Sequence, residues 1–581
     1  MNIILTTLNA KYIHTNLALR YLKSYAMPAY IPKIIEYTIK DPTMNIVSDL
    51  YQNKPEIIGF SLYIWNIEES IKVMRMLKQV MPDVKIIAGG PEVTYGYDYW
   101  LKRVPEIDVI AIGEGERTFK QLLDVYANNG DLATVQGIAY REDEQLQFTA
   151  PGPKLDLREL PSPFRFAEDI PELRKRVTYI ETSRGCPFSC QFCLSSIEVG
   201  VRYFNRDAIK EDIRYLMANG AKVIKFVERT FNISRSYAME MFQFLIDEHV
   251  PGTVFQFEIT GDIMRPEVIQ FLNAPAGLFR FEIGVQSTND LTNELVQRRQ
   301  NFEKLSRTVT MVKEGGKIAQ HLDLIAGLPE EDYDSFRKTF NDVFAMRPEE
   351  LQLGFLKLLR GTGLRIQAEQ YGYTFVDEAP YEIFSNNVLS FDDILRIKQT
   401  EDVLEKYWND NRTPRTVEYI VTDVFESPFD FFQQFGTYWE TRGWSRIGHQ
   451  LEDLFTRLHD FLEQDGRADM DIARSLMKID YLVHHKFQPR KVWWQDELPR
   501  ETRMAIEQSL LGNPMLTGKD FTSYGLNARN IRKQTYITPI YVNPDDVELG
   551  ILEKTDGFLV TVFKHGETPD FLFLDLTLAT L

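Results

Sequence analysis

The chain has 581 residues, of which 44% are hydrophobic and 26% are charged, and 84 acidic against 66 basic residues give a formal net charge of −18. These values predict a globular protein of several domains and disfavour a broad nucleic-acid or anionic-membrane surface. No apolar run of about 18 residues predicts a membrane span, and we expect no leader peptide before the first strand.

Strand and helix patterns alternate over residues 1–130. Short apolar strands are predicted at Asn2–Leu8, Lys33–Thr38, Glu56–Tyr63, Val84–Ala88 and Asp108–Ile112. Helical patterns lie between them, which predicts an α/β domain with a doubly wound, Rossmann-like parallel sheet. Ligands bind such sheets at the carboxyl ends of the strands.

Residues suited to ligand binding follow these strands. Glycines in Gly89-Gly90-Pro91-Glu92 and Gly113-Glu114-Gly115-Glu116 would let a bulky planar ligand approach the backbone closely. The candidate ligand contacts of this domain are Asn9, Ser61, Ile64, Gly89, Gly90, Pro91, Glu92, Gly113, Glu114 and Gly115.

Residues 131–172 are rich in proline and glycine and are predicted to form a linker. The alternation of strands and helices resumes over residues 173–370. Strands are predicted at Val177–Glu181, Lys222–Val227, Val254–Thr260, Leu278–Gly284, His321–Ala326 and Leu351–Leu358.

All three cysteines of the chain, Cys186, Cys190 and Cys193, lie in one C-x3-C-x2-C motif just after the first of these strands. This usage favours a reducing cytoplasm over a disulfide framework. Three such thiolates can hold a soft metal centre, and a [4Fe–4S] cube bound by three cysteines keeps one iron open for another ligand. The alternatives are a zinc site completed by a distant histidine and three unrelated buried cysteines.

The motif, with Phe192 before its last cysteine, resembles that of the radical S-adenosylmethionine (SAM) superfamily. The resemblance implies a partial (β/α)6 barrel whose site lies at the carboxyl ends of its strands. It also implies that SAM binds the open iron and is cleaved reductively to a 5′-deoxyadenosyl radical. An electron donor such as flavodoxin or ferredoxin is expected as a partner.

Several strand ends are similar to the SAM-binding motifs of that family, in the same order. Glu228 stands where relatives bind the SAM amino group, although the preceding glycines are missing. The run from Asp323 to Glu330 keeps the spacing of the adenine motif, with Asp323 in place of its first glycine. A lone carboxylate at a strand end can instead pair with a neighbouring loop. The SAM contacts that the resemblance implies are Phe192, Glu228, Glu282, Gln286, Ser287, Asp323, Ile325 and Gly327.

The glycine-rich turns of residues 1–130 resemble those of the cobalamin (B12)-binding domain that precedes many radical SAM domains. Cobalamin is therefore the expected ligand of that domain. The D-x-H-x-x-G motif that supplies a lower cobalt ligand in many B12 enzymes is absent, and His14 is interpreted as a polar loop residue. A degenerate domain that binds no cofactor stays an alternative.

Residues 371–581 have no motif that can be tied to chemistry. Helical patterns dominate this predicted C-terminal domain, and a β-hairpin is predicted at Phe558–Phe563 and Phe571–Leu576. The overall layout resembles a bacterial group of B12-binding radical SAM proteins whose C-terminal domain has no assigned role.

Three hypotheses follow from the resemblance. The first is a cobalamin-dependent radical SAM methyltransferase, which acts on an unactivated carbon through the 5′-deoxyadenosyl radical and methylcobalamin. The second is a cobalamin-linked rearrangement, cyclisation or oxidation without methyl transfer, and the third is a non-catalytic iron–sulfur and cobalamin sensor. A methylthiotransferase is disfavoured because no cysteines remain for a second cluster. The substrate, a small molecule or a peptide, is not identified.

Overall fold

The computed structural model of the chain describes residues 1–197, 200–271, 274–495, 498–517 and 519–575. The first of its two compact units comprises Met1–Pro348 and Leu353–Ile394. The second comprises Glu349–Gln352 and the described residues from Leu395 onward.

The first unit begins with a seven-stranded sheet in the order β2-β1-β3-β4-β5-β6-β7. Its strands are β1 (Ile3–Asn9), β2 (Lys33–Thr38), β3 (Ile57–Ser61), β4 (Lys85–Gly89), β5 (Val109–Ala111), β6 (Ile138–Glu142) and β7 (Gln145–Phe148). Strands β1 to β5 pair in parallel, whereas β6 and β7 are antiparallel additions. These two strands belong to the segment predicted as a linker. Ile138, Ala139 and Tyr140 are buried, so this short run completes the sheet instead of crossing solvent.

Helices cover both faces of this sheet, as the doubly wound prediction requires. They are α1 (Leu17–Ala26), α2 (Thr43–Gln52), α3 (Ile67–Val80), α4 (Pro91–Thr94), α5 (Tyr97–Arg103) and α6 (Gly115–Asn128). Successive strand residues enter two different apolar cores, with Ile57 and Ile87 in one and Ile58 and Ile86 in the other. A continuous apolar run is therefore buried on both sides.

The second large sheet is the predicted six-stranded partial barrel. Strand β8 (Val177–Ile180) is followed by a ribbon of β9 (Ser183–Arg184) and β10 (Arg202–Tyr203), before the chain returns to the sheet. The other barrel strands are β11 (Val223–Phe226), β12 (Val254–Ile259), β13 (Phe279–Gln286), β14 (Ala319–Ala326) and β15 (Glu350–Phe355). The order is β15-β14-β13-β12-β11-β8, and the pairs from β8 to β14 are parallel.

The barrel helices are α7 (Arg206–Ala218), α8 (Arg235–Glu248), α9 (Pro266–Phe271), α10 (Asp290–Leu295), α11 (Phe302–Gly315) and α12 (Tyr333–Phe344). After the barrel come α13 (Gly363–Ile366), β16 (Thr374–Phe375) and β17 (Ile383–Ser385). The outer edge of β8 is covered by the N-terminal sheet domain, because the Val177 N–H donates to the Ile13 carbonyl at 2.7 Å. This contact blocks an otherwise unpaired strand edge.

The second unit is mainly helical, as predicted. Its helices, counted from the unit boundary, are α14 (Phe391–Leu404), α15 (Pro414–Tyr419), α16 (Pro428–Thr441), α17 (Leu451–Asp465), α18 (Met470–Val483), α19 (Arg500–Gly512), α20 (Ile531–Gln534) and α21 (Pro544–Glu548). None of the described helices of the chain has the length and apolar character of a membrane span.

The predicted hairpin of the second unit is confirmed, and a third strand joins it. The antiparallel sheet consists of β18 (Thr535–Ile540), β19 (Gly557–Val562) and β20 (Asp570–Asp575). Pro539 weakens the sequence signal of β18 because proline has no N–H for the ladder. Leu576, the predicted hairpin end, lies outside the described residues.

Candidate active site

The three cysteines lie on the loop that follows β9. Cys186 and Cys190 are each 7% exposed and Cys193 is half-buried. All three line one cavity of about 570 Å³, here called the first cavity. Gly185 has a φ of +100°, and an added Cβ would stand 1.9 Å from the Gly200 carbonyl oxygen. The path of the chain into Cys186 therefore requires glycine.

The donor set fits an iron–sulfur cube better than a zinc ion. Burial raises the pKa of the Cys186 and Cys190 thiols, so a metal centre must displace their protons. Among the described residues, no three His, Cys, Asp or Glu side chains stand close enough together to hold one metal ion. A mononuclear zinc site needs such a cluster of ligands, whereas a cube binds each thiolate at a different iron.

The rest of the first cavity is walled by alternate residues of the barrel strands. Successive strand side chains point to opposite sides of a sheet, so every second residue faces the barrel interior. Glu282 and Gln286 of β13 and Asp323 of β14 share this register, and the structure places all three in the cavity wall together with Phe192. Four of the eight predicted SAM contacts thus meet in one cavity.

Glu228, a fifth predicted SAM contact, lies outside the cavity wall. The turn that follows β11 brings Arg229 to the cavity wall instead, whereas Glu228 is not part of that wall. Its carboxylate is buried and accepts the backbone N–H groups of Thr182 and Ser183, the latter at 2.9 Å. Burial raises the pKa of Glu228 to about 7. Its observed role is to hold the chain that leads to the cysteines.

The remaining predicted SAM contacts, Ser287, Ile325 and Gly327, are also absent from the described wall of the first cavity. Ser287 is fully buried next to Gln286, and its Oγ donates to Glu331 Oε1 at 2.6 Å. The Gly327 carbonyl accepts a hydrogen bond from Tyr373 Oη at 2.8 Å. Ile325 is on the half-buried face of β14. Side chains one residue apart on a strand point in opposite directions. The spacing of a motif does not show this direction, and Ser287 points away from the cavity that Gln286 faces.

Several residues of the first cavity were missed by motif matching. They are Arg229, Glu258, Thr260, Asp262 and Arg298. The alternation of polar and apolar residues along β12, which places Glu258 on the cavity side and continues to Thr260 just after the strand, is the signal that would have found two of them.

Ion pairs partly neutralise the barrel interior around this cavity. Lys225 Nζ lies 2.7 Å from both carboxylate oxygens of Glu282, and Arg229 Nη1 lies 3.1 Å from Glu258. Burial raises the pKa of Glu258, and the Arg229 guanidinium opposes this shift. The wall therefore presents charged groups of both signs, which suits a ligand that carries both an anionic group and cationic groups, such as SAM.

A second cavity, of about 340 Å³, lies at the strand ends of the N-terminal sheet. Its wall includes seven of the predicted ligand contacts, namely Ser61, Gly89, Gly90, Pro91, Gly113, Glu114 and Gly115. Gly90 has a φ of +114°, and an added Cβ would stand 2.3 Å from the Leu62 carbonyl oxygen. The space beside Gly113 is open to 4 Å, so a large ligand can reach the backbone there.

The other three predicted contacts of this domain are elsewhere. Ile64 and Glu92 line the first cavity, because the turns that bear them project toward the barrel. Asn9 is buried and donates to the His14 carbonyl at 3.0 Å. The ring of His14 contacts Tyr179 Oη at 2.7 Å, and no histidine belongs to the described wall of the second cavity.

Tyr63 and Pro91 belong to the walls of both cavities. The cysteine-lined space and the glycine-lined space are therefore direct neighbours within the first unit. Burial raises the pKa of Glu92, beside this shared wall, to about 7, and Tyr381 Oη donates to its carboxylate.

Three family models match consecutive parts of the chain. A B12 binding domain matches residues 3–123, and the radical SAM superfamily matches residues 180–343. The third model, described as a protein of unknown function (DUF4080), matches residues 369–560. The first two matches cover the described wall residues of the two cavities except Leu359.

Curated relatives are similar to parts of the chain. An uncharacterized methyltransferase of Pyrococcus horikoshii is 28% identical over 39% of this chain and 51% of its own length. The cobalamin-dependent radical SAM methyltransferase TokK of Streptomyces tokunonensis is 26% identical over 74% of this chain and 64% of its own. An anaerobic magnesium-protoporphyrin IX monomethyl ester cyclase of Synechocystis is 29% identical over 38% and 46%. The chain spans about half the length of the first of these relatives and of the cyclase.

Solved structures share the fold. The cobalamin-dependent SAM radical enzyme OxsB superposes with a TM-score of 0.60 at 13% identity, over 88% of this chain and 84% of that one. The radical SAM methyltransferase TsrM of Kitasatospora setae gives 0.56 at 14% identity, over 66% and 80%. These likenesses show a shared fold, and the three family models match a B12 binding domain, a radical SAM domain and a domain of unknown function in succession along the chain.

Proposed function

We propose that the chain is a cobalamin-dependent radical SAM enzyme that methylates an unactivated carbon. The observation that carries this proposal is the pair of adjacent cavities, one lined by three cysteines and the other by glycine-rich strand ends. A methyl group and a radical must meet at one substrate carbon, so their sources must be close together. Tyr63 and Pro91, which belong to both walls, mark where the two sources would meet.

Each cavity has its own role in this proposal. Cys186, Cys190 and Cys193 would hold a [4Fe–4S] cluster, with Phe192, Glu282, Gln286 and Asp323 as wall residues for SAM. The glycines of the second cavity would hold cobalamin. When bound, the cluster supplies an electron for SAM cleavage to a 5′-deoxyadenosyl radical, and cobalamin supplies a transferable methyl group. The protein orients both groups and excludes water from the space between them.

The wider setting belongs to the same proposal. We expect a reducing cytoplasm, because all three cysteines of the chain lie in the one cluster motif. An electron donor such as flavodoxin or ferredoxin would reduce the cluster. The substrate would be a small molecule or a peptide that enters the first cavity.

A second candidate is a cobalamin-linked oxidation or cyclisation without methyl transfer. It is favoured by the cyclase relatives, among them the Rubrivivax gelatinosus enzyme, which is 28% identical over 49% of this chain. It would use the same two cavities, so the wall residues do not separate it from methylation.

The test is anaerobic reconstitution with iron, sulfide and hydroxocobalamin, followed by SAM and dithionite. We expect about four irons and one corrinoid per chain, with formation of both 5′-deoxyadenosine and S-adenosylhomocysteine. 5′-Deoxyadenosine without S-adenosylhomocysteine would favour the second candidate. Bound cofactors without either product would contradict an enzymatic role and favour a sensor.

A further inference from the structure

Five charged side chains form one network on the wall of the second cavity. We call Glu114, Glu116, Glu181, Arg184 and Arg202 the carboxylate–arginine network, and all five line that cavity. Arg184 lies 2.6 Å from Glu116 Oε1, 2.8 Å from Glu181 Oε2 and 3.6 Å from Glu114 Oε1. Arg202 pairs with Glu114. Arg184 is thus the central cation of the network.

The backbone of Arg184 belongs to the cysteine loop of the first cavity. Arg184 is two residues before Cys186, on a ribbon in which it pairs with Arg202. Gly185 lies between Arg184 and Cys186, and there is no space for a side chain at this position. The Gly200 N–H donates to the Cys186 carbonyl at 3.3 Å. A displacement of the Arg184 side chain therefore acts on a short, tightly held segment that ends at a cysteine.

The network has an unmet hydrogen-bond acceptor. Glu116 is 4% exposed, and its Oε2 is buried without a hydrogen-bond partner. Three carboxylates also face only two guanidinium groups within the network. A buried acceptor left in this state costs free energy that a ligand with N–H donors can recover. The amide groups at the edge of a corrinoid are donors of this kind.

We propose that Arg184 is a positioning residue that couples occupancy of the second cavity to the geometry of the cysteine loop. The inference rests on the proposed corrinoid and cluster. A donor that satisfies Glu116 changes how strongly Glu116 holds Arg184, and Arg184 transmits this change toward Cys186. We take the bound corrinoid to favour the loop geometry that holds the cluster, and because such coupling is reciprocal, a filled cluster site then strengthens corrinoid binding.

The test compares hydroxocobalamin affinity, by equilibrium dialysis, in cluster-loaded and cluster-free full-length protein. We expect the wild type to bind at least about 5-fold more tightly when the cluster is present. In Arg184→Gln the ratio should fall to about 1. Glu116→Gln breaks the same ion pair from the N-terminal sheet domain and leaves the sequence of the cysteine loop intact, so it should give the same result even if Arg184→Gln takes up no cluster. Iron content per chain verifies the loaded state.

Arg202→Gln is the matched control. Arg202 lies on the same wall but donates to Glu114 and to the Leu155 carbonyl, the latter at 2.9 Å. Its loss should weaken corrinoid binding equally in the cluster-loaded and the cluster-free protein. The ratio of the two affinities should therefore stay at the wild-type value. If Glu116→Gln keeps the wild-type ratio of hydroxocobalamin affinities with and without the cluster, the coupling is wrong, while the proposed function still stands. Absence of corrinoid binding by the wild type in both forms would overturn the corrinoid part of the proposed function as well.

Discussion

The first cavity depends on side chains from alternate positions of barrel strands, whereas the second combines glycine backbone at strand ends with the carboxylate–arginine network. In the first, Glu282 and Asp323 depend on the register of neighbouring strands for their direction. In the second, Gly90 and Gly113 need only the correct turn. A site made of backbone tolerates changes around it but no added side chain, while a site made of side chains depends on each partner charge.

The cysteines provide the largest effect, because their loss should disable the first cavity and spare the second. Cys190→Ala removes a buried thiolate, so we expect loss of nearly all cluster iron and of 5′-deoxyadenosine formation. Iron analysis and chromatography of products with SAM and dithionite measure both. Hydroxocobalamin binding is the internal control and should persist within the roughly 5-fold coupling proposed above. Full retention of 5′-deoxyadenosine would contradict the cluster assignment.

Gly90→Ala should strain the backbone that forms part of the second cavity. The positive φ and the clash with the Leu62 carbonyl oxygen predict a loss of about 3 kcal/mol in the free energy of unfolding. Urea unfolding of the corrinoid-free protein measures it. Gly89→Ala is the control, since its added Cβ would stand 3.9 Å from the nearest atom, and its unfolding free energy should stay within about 0.5 kcal/mol of wild type. Equal stability of the two variants would show that the close approach is not sterically limiting.

Lys225→Met tests the dependence of the first cavity on paired charges. The substitution removes the cation that pairs with the half-buried Glu282 carboxylate. We expect the free energy of unfolding to fall by about 2 kcal/mol. The double variant Lys225→Met, Glu282→Gln removes both charges and should recover most of this loss. If the double variant is no more stable than Lys225→Met, the pair is not what holds this region.

Glu92 gives the smallest effect, and the effect depends on pH. Its pKa in the folded protein, about 7, lies above that of an ordinary carboxyl because burial penalises the charged form. Its contribution to stability is therefore full below about pH 4.5 and is lost as the pH rises through 7. Glu92→Gln, which still accepts from Tyr381, should gain about 1–2 kcal/mol relative to wild type between pH 5 and pH 8.

Thermal or urea unfolding at both pH values measures this difference. Glu69→Gln, which removes a carboxylate that pairs with Lys72 at the surface of α3, is the control. A stability difference between Glu92→Gln and wild type that does not change with pH would contradict the assignment of a buried, neutralised carboxyl.

Local patterns were sufficient for the strands and for the backbone-built site. The apolar run at Val84–Ala88 is recognisable because it is buried on both sides, with Val84, Ile86 and Ala88 in one core and Ile87 in the other. Gly90 and Gly113 could be singled out because a turn with positive φ favours glycine wherever it lies. The linker prediction did not include the pairing of β6 and β7 with the N-terminal sheet, since antiparallel addition to a sheet edge has no local signature.

The sequence alone determined the cysteine motif, the strand-end glycines and the order of the domains, because each depends on residue type and short spacing. Tertiary structure decided that Glu228 supports the cysteine loop, that Glu92 faces the barrel cavity, and that Arg184 meets Glu116. These roles depend on which way a side chain points and on which distant carboxylate lies within 4 Å of it. Both follow from strand register and domain packing, which the chain acquires only when it folds.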